Sequence, residues 1–151
     1  MYDKAVLGVE EALQAMMAML QQANKEPDRP VAIAITDDDG NLVAYARMDR
    51  CRTLPQQVAI KKAYTAAIFR SDTGALATRM KEQGRGAADF ADPRLMFLQG
   101  GVPIQRPDGT VLGGIGVSGL QAAEDEAIAR LGLQAMNLGQ AAPRRRARRA
   151  R

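Results

Sequence analysis

The sequence predicts an α+β fold, in which helices cover an antiparallel sheet of about five strands, in the chain order α-β-β-α-α-β-β-β-α. Three observations predict this fold. Apolar residues near the N-terminus recur with the period of a helix, two tight turns at 37–41 and 107–109 join short apolar runs, and longer helical patterns separate these two regions. Strands joined by tight turns pair antiparallel, and helices must cover their apolar face.

The first elements are a helix and a hairpin. A helix is predicted over 2–25, and its apolar stripe consists of Val6, Val9, Leu13, Met16, Met17 and Leu20. Pro27 and Pro30 end it, because proline cannot continue a helix. The apolar run at 31–35 predicts a strand, Asp37–Asn41 predicts the hairpin turn, and 42–48 predicts the returning strand. The three aspartates at 37–39 also resemble an oxygen-rich cation site, but they lack the later ligands of a calcium loop.

Two helices are predicted next. Thr53 and Gln56 have the spacing of a capping box, which starts a helix that runs to about residue 70. A shorter helix follows over 73–83, and Gly84 stops it. The segment 84–94 is polar and irregular, and 95–98 is predicted as a short strand or the start of a loop.

The stretch from Gly100 to Asp125 is rich in glycine. It predicts strands over 102–104 and 110–117, joined by turn residues at 107–109. Three glycines interrupt the second strand, at 113, 114 and 116, so a packed helix, a partner chain or a ligand is expected to approach its backbone closely. Ser118 and Gln121 are predicted to form a capping box for a last helix over 120–138.

Composition indicates one domain, predicted over 1–139, followed by a disordered arginine-rich tail over 140–151. The formal net charge is +4, and without the six arginines of the tail the rest of the chain has a net charge of −2. Only the tail therefore favours binding to nucleic acid, and this binding would be non-specific. The single cysteine and the lack of an apolar leader or a membrane-length run predict a cytoplasmic protein without membrane contact.

The chain contains no histidine. This excludes a Ser-His-Asp triad, a Cys-His dyad and any histidine metal ligand, and no metal site is predicted.

Several charged residues remain candidates for chemistry. Lys62 and Thr65 share one helix face, and Arg47 ends a strand where it could hold a carboxylate. Alternatively, the aliphatic stem of Lys62 packs against the protein while its ammonium group reaches solvent. Arg47 alternatively forms surface ion pairs. Glu124 and Asp125 either complement the dipole of the last helix or pair with Lys62 or an arginine. Asp49 is a further candidate carboxylate. Cys51 lies beside arginines that would lower its thiol pKa.

The segments GGVPI (100–104) and DGTVLGGIGVSG (108–119), together with KKAYTAAIF (61–69), resemble the haem-binding domain of the GlcG/HbpS type. This domain also forms the C-terminal half of PduO-type corrinoid adenosyltransferases. The resemblance covers roughly residues 5–138 and implies haem binding and a symmetric homo-oligomer, at least a dimer. In PduO-type relatives a histidine near the first helix ligates iron, so this chain would have to use another group, with Tyr64 and Cys51 as the first candidates.

Two functions are therefore predicted. The first is a small haem- or tetrapyrrole-binding accessory protein without a histidine ligand, with a pocket between the second helix, Gly100–Ile104 and Ser118. Its cofactor-binding residues would be Arg47, Lys62, Tyr64, Thr65, Gly100, Gly101, Pro103 and Ser118. The alternative is a cofactor-free enzyme acting on a small organic acid or aromatic metabolite, with Lys62, Glu124 and Asp49 as catalytic residues. A purely structural or sensory oligomer is the remaining interpretation.

Overall fold

A computed structural model describes residues 1–138, so the predicted tail at 140–151 lies outside the described residues and the domain boundary near 139 stays a prediction. The helices and strands are α1 (Val9–Ala23), β1 (Ala32–Asp37), β2 (Leu42–Arg47), α2 (Thr53–Phe69), α3 (Thr73–Glu82), β3 (Gly101–Gln105), β4 (Val111–Ser118) and α4 (Ala122–Ala135). A short 3-10 helix (Ala87–Phe90) lies between α3 and β3.

The strands form one antiparallel sheet in the order β2-β1-β4-β3. Both predicted turns are confirmed: Oδ1 of Asp37 accepts the backbone N–H of Asn41 (2.8 Å), and Gly109 has a φ of 89°. The α+β class and the order of the elements are therefore confirmed, but the sheet has four strands rather than about five. The segment 95–98 forms no strand, because the N–H of Met96 donates to Oγ1 of Thr65 (2.9 Å) and not to a neighbouring strand.

Helices cover both faces of the sheet. On one face, Ile33, Ile35, Ile115 and Val117 pack with α1 and α4 in the main apolar core. On the opposite face, α2 lies directly on the backbone of β4. A Cβ on Gly116 would lie only 2.1 Å from the carbonyl oxygen of Ala59 on α2. Of the three explanations for the strand glycines, a packed helix is therefore the one observed at this position.

The predicted start of the first helix was wrong. The helix α1 begins at Val9 rather than at residue 2, although Val6 fits the apolar period. Lys4 instead pairs with Asp38 (2.8 Å), and Leu7 is buried, so the preceding segment follows the surface of the fold to the hairpin turn.

Both predicted capping boxes were wrong as well. Thr53 is the first helical residue of α2, and its predicted partner Gln56 donates instead to the carbonyl oxygen of Cys51 (3.1 Å). Ser118 remains in the sheet, paired with Ala32, so α4 begins later than predicted.

None of the helices in the described part of the chain combines the length and apolar character that crossing a bilayer requires.

Candidate functional site

Lys62 lies on the face of α2 that packs on the sheet, and it is only 3% exposed. Its Nζ donates hydrogen bonds to the carbonyl oxygen of Val117 (2.9 Å) and to Oδ2 of Asp125 (3.1 Å). Gly100 has a φ of 125°, and a Cβ there would lie 2.6 Å from the Lys62 Nζ. The space around Lys62, where the sequence analysis expects a pocket, is therefore filled by protein atoms.

Asp125 completes this buried ion pair from the first turn of α4. Its Oδ1 accepts the backbone N–H of Leu120 (3.0 Å), so both carboxylate oxygens are hydrogen-bonded. Burial raises the pKa of Asp125 above its ordinary value, and the Lys62 ammonium opposes this effect. The pair joins α2, the end of β4 and the start of α4, which indicates a structural role for both charges.

The predicted residues Thr65 and Gly101 hold neighbouring segments in place. Thr65 is fully buried, and its Oγ1 binds the N–H of Met96 in the segment before β3. The N–H of Gly101 donates to Oγ1 of Thr73 at the start of α3 (2.8 Å). A Cβ on Gly101 would lie 2.6 Å from the carbonyl oxygen of Lys62, so the close approach of α2 requires glycine there.

The two predicted catalytic carboxylates, Glu124 and Asp49, lie elsewhere. Glu124 forms a two-point ion pair with Arg29, with N–O distances of 3.0 and 2.7 Å. This hydrogen bonding lowers the pKa of Glu124, and the pair lines a groove of about 200 Å³ between α1 and α4. Asp49 is exposed after β2 and forms no ion pair within residues 1–138. The structure therefore does not bring the carboxylates of Glu124 and Asp49 to Lys62.

Arg47 ends β2 and is exposed, and it makes no ion pair with the part of the chain that is described. Tyr45 and Cys51 lie near it, since the Arg47 charge acts on the pKa of both. Burial nevertheless raises the pKa of the Cys51 thiol and of the Tyr45 phenol. The Tyr45 hydroxyl is buried without a hydrogen-bond partner among the described residues.

Tyr64 donates a short hydrogen bond from its hydroxyl to Oδ2 of Asp92. Arg94 binds the same carboxylate and also lies over the Tyr64 ring, 4.4 Å from its centroid. Hydrogen bonds from Arg94 and Tyr64 lower the pKa of Asp92 to about 2, while burial raises the pKa of Tyr64. The Tyr64 hydroxyl on α2 thus holds the segment that connects α3 to β3.

The remaining predicted residues lie on the sheet. Pro103 is half-buried on β3 opposite Gly114, and Ser118 is buried at the end of β4. The sequence does not reveal Asp92 as the partner of Tyr64, because no local pattern links residues that lie on α2 and on an irregular segment. No sequence pattern indicates the groove of about 410 Å³ that lies between α3, the segment 97–99 and α4.

Comparison with known proteins identifies the family. The family model described as haem degrading protein HbpS-like matches residues 7–134. The chain belongs to this family. The resemblance inferred from the glycine-rich motifs is therefore confirmed over nearly the whole described chain.

Relatives and solved structures agree with this assignment. The chain is similar to Protein GlcG of Escherichia coli K12, with 38% identity over 118 residues, which cover 78% of this chain and 85% of GlcG. A crystal structure of an HbpS double mutant from Streptomyces reticuli has a TM-score of 0.78 and 30% identity, and the likeness covers 89% of both chains. The crystal structure of a PduOC:Heme complex has a TM-score of 0.79 and 26% identity, covering 89% of this chain and 98% of that one.

Proposed function

We propose that this protein is a small haem- or tetrapyrrole-binding accessory protein of the GlcG/HbpS type, and that it holds its ligand without a histidine. The observation that carries the proposal is its likeness to the PduOC:Heme complex over 89% of this chain. Membership of the HbpS-like family supports the same ligand class.

The groups named as iron ligands in the sequence analysis do not fit that role. The chain has no histidine, Tyr64 donates its hydroxyl proton to Asp92, and Cys51 is a buried thiol with a raised pKa. Iron binds tyrosinate and thiolate, so both side chains would first have to lose a proton that their surroundings retain. Direct ligation of iron by Tyr64 or Cys51 is therefore not part of the proposal.

Arginine contacts to ligand carboxylates fit better. A tetrapyrrole with propionate groups carries carboxylates, which guanidinium groups bind through paired hydrogen bonds. Arg47 and Arg52 are both exposed and form no ion pair within the described chain, whereas Arg50 between them is paired with Asp28 (2.9 Å). Arg47 is thus the predicted cofactor-binding residue that is best placed to act directly.

The buried predicted residues support this role indirectly. Lys62, Thr65, Gly100 and Gly101 hold α2, α3 and the segment before β3 against the sheet. Ser118 and Pro103 belong to the strands on which this packing rests. We propose that these residues keep the fold rigid next to the ligand and do not touch it.

The alternative, a cofactor-free enzyme acting on a small organic acid or aromatic metabolite, requires Lys62 and a carboxylate in one accessible site. Lys62 is bound to Asp125 and Val117, and Glu124 is bound to Arg29. No contact in residues 1–138 favours this alternative over tetrapyrrole binding.

Separate titrations of the full chain with haemin and with metal-free protoporphyrin IX, followed by absorbance, test the proposal. We expect saturable binding of both at similar affinity, because in this proposal no side chain ligates iron. Arg47→Gln should weaken both by about tenfold, the loss of a charged hydrogen bond. Arg50→Gln is the matched control, since Arg50 is already held by Asp28, and it should bind like the wild type.

Two results would contradict the proposal. Non-saturating titrations with both compounds would remove tetrapyrrole binding altogether. Binding of haemin that is far tighter than that of protoporphyrin would show that a protein group ligates iron, and Tyr64→Phe and Cys51→Ala would then identify that group.

A further inference from the structure

The groove between α3 and α4 is a built feature of the fold. Its walls are α3, the segment 97–99 and one residue of α4, and this open groove has a volume of about 410 Å³, within the range of small-molecule sites. A Cβ on Gly74 would lie 2.9 Å from Cγ of Gln99, so glycine lets this segment approach α3. Its lining includes Thr78 on α3, Phe97, Leu98 and Gln99 on the segment before β3, and Glu126 on α4.

One wall of the groove is apolar and firmly supported. Leu98 is 50% exposed, so its side chain is accessible to a molecule in the groove. Phe97 beside it packs edge-to-face against Phe69 and Phe90, with ring centroids 5.6 and 5.8 Å apart. The wall therefore offers a fixed surface for an apolar or aromatic group.

The opposite wall carries the Glu126 carboxylate, whose ion pair within the described chain is long. Glu126 has a 21% exposed side chain, and its nearest cation is Nε of Arg130, at 3.7 Å. Arg130 is bound more closely to Asp72 (2.6 Å), so one guanidinium serves two carboxylates. Within residues 1–138 no other cation lies at ion-pair distance from Asp72 or Glu126. These three side chains together carry one net negative charge, and Glu126 presents it in the groove lining.

We propose that this groove binds a small organic cation, an apolar or aromatic molecule bearing an ammonium group, with Glu126 as its counter-charge. The apolar body lies against Leu98 and Phe97, and the ammonium group donates to the Glu126 carboxylate. Thr78 and Gln99 add hydrogen-bonding groups to the lining of the groove. The site shares no residue with the arginines proposed to hold a tetrapyrrole, so the two proposals stand or fall separately.

Three probes that share one ring test the charge requirement: benzylamine, benzyl alcohol and benzoate. Each is titrated into the full chain, and the backbone amides of Thr78, Leu98 and Gln99 are followed by NMR. We expect saturable shifts with benzylamine, weaker binding of benzyl alcohol and no binding of benzoate. This comparison uses the wild type and needs no variant. Equal binding of benzoate and benzylamine would overturn the proposal. The absence of shifts with benzylamine would also overturn it.

Variants then test the residues. Glu126→Gln should weaken benzylamine by about tenfold, to the level of benzyl alcohol, and leave benzyl alcohol unchanged. Leu98→Ala should weaken both compounds, because it removes part of the apolar wall. Glu82→Gln is the control, since Glu82 is exposed at the end of α3 and lies outside the groove lining. Wild-type affinity for benzylamine in Glu126→Gln would exclude the assigned counter-charge.

Discussion

At the scale of single residues, a lysine ammonium buried to 3% exposure needs acceptors and a counter-charge, because an unpaired buried charge is strongly unfavourable. The pattern of small residues around Lys62 in the sequence marks a residue that packs closely. It does not distinguish a ligand-binding lysine from a structural one, since both need the same surroundings. The ion pair with Asp125, which lies 63 positions away in the chain, favours the structural role.

Removal of the Lys62 charge tests the structural role. Lys62→Met should lower the free energy of unfolding by about 3–5 kcal/mol, because it leaves the Asp125 carboxylate buried without its partner. Burial already raises the pKa of Asp125, and without Lys62 it rises further. A carboxyl whose folded-state pKa is raised loses stability as the pH rises through that pKa, so the variant should be less stable at pH 8 than at pH 5. Urea unfolding at both pH values measures this effect.

A double variant provides the control for this prediction. Lys62→Met combined with Asp125→Asn removes both charges but keeps an oxygen for the N–H of Leu120. It should regain most of the lost stability and show no such dependence on pH. If Lys62→Met is as stable as the wild type, the buried pair has no structural role, and a functional role for Lys62 becomes the better explanation.

At the scale of elements, the strand glycines were the most reliable part of the sequence analysis. They predicted a close approach to the backbone of β4, because glycine is otherwise unfavourable in a strand. The structure shows that α2 makes this approach, with Ala59 and Ala63 over Gly116 and Gly114. The sequence could not choose between a helix, a partner and a ligand, since all three require the same missing side chain.

Gly116→Ala tests this packing. Its Cβ would lie 2.1 Å from the carbonyl oxygen of Ala59, which is backbone and cannot rotate away. We expect the free energy of unfolding to fall by at least about 1–3 kcal/mol, the usual cost of overpacking. Gly86→Ala is the matched control, because apart from its chain neighbours no atom of residues 1–138 lies within 4 Å of the added Cβ, and its φ is −120°. That substitution should be neutral or slightly stabilising. Equal effects of the two changes in urea unfolding would contradict the close packing of α2.

Helix ends and the fifth strand were less predictable, and the reasons are tertiary. The apolar period continues before Val9, but the segment before α1 is not helical and its Lys4 forms an ion pair with Asp38. The segment 95–98 is apolar enough for a strand, yet Thr65 on α2 takes the N–H of Met96. Interactions with residues distant in the chain override local propensity in both cases.

At the scale of the whole molecule, α1 leaves an apolar stripe uncovered within the described chain. Val9, Leu13 and Met17 succeed one another at helical spacing and are 55%, 50% and 65% exposed. Contiguous exposed apolar residues of this kind are typical of a protein–protein interface. We propose that a second copy of the chain covers this stripe, in line with the homo-oligomer expected from the family resemblance.

Leu13→Lys tests whether α1 forms this interface. The wild type should elute with the mass of at least two protomers of 16.3 kDa in size-exclusion chromatography with light scattering. Leu13→Lys places a charge in the middle of the stripe and should shift the mass to one protomer, because a buried lysine without a partner is strongly unfavourable. Leu54→Lys changes an equally apolar residue on α2 that is 71% exposed, and it should leave the assembly intact. A monomeric wild type would exclude self-association, and an assembly disrupted by Leu54→Lys but not by Leu13→Lys would move the interface from α1 to α2.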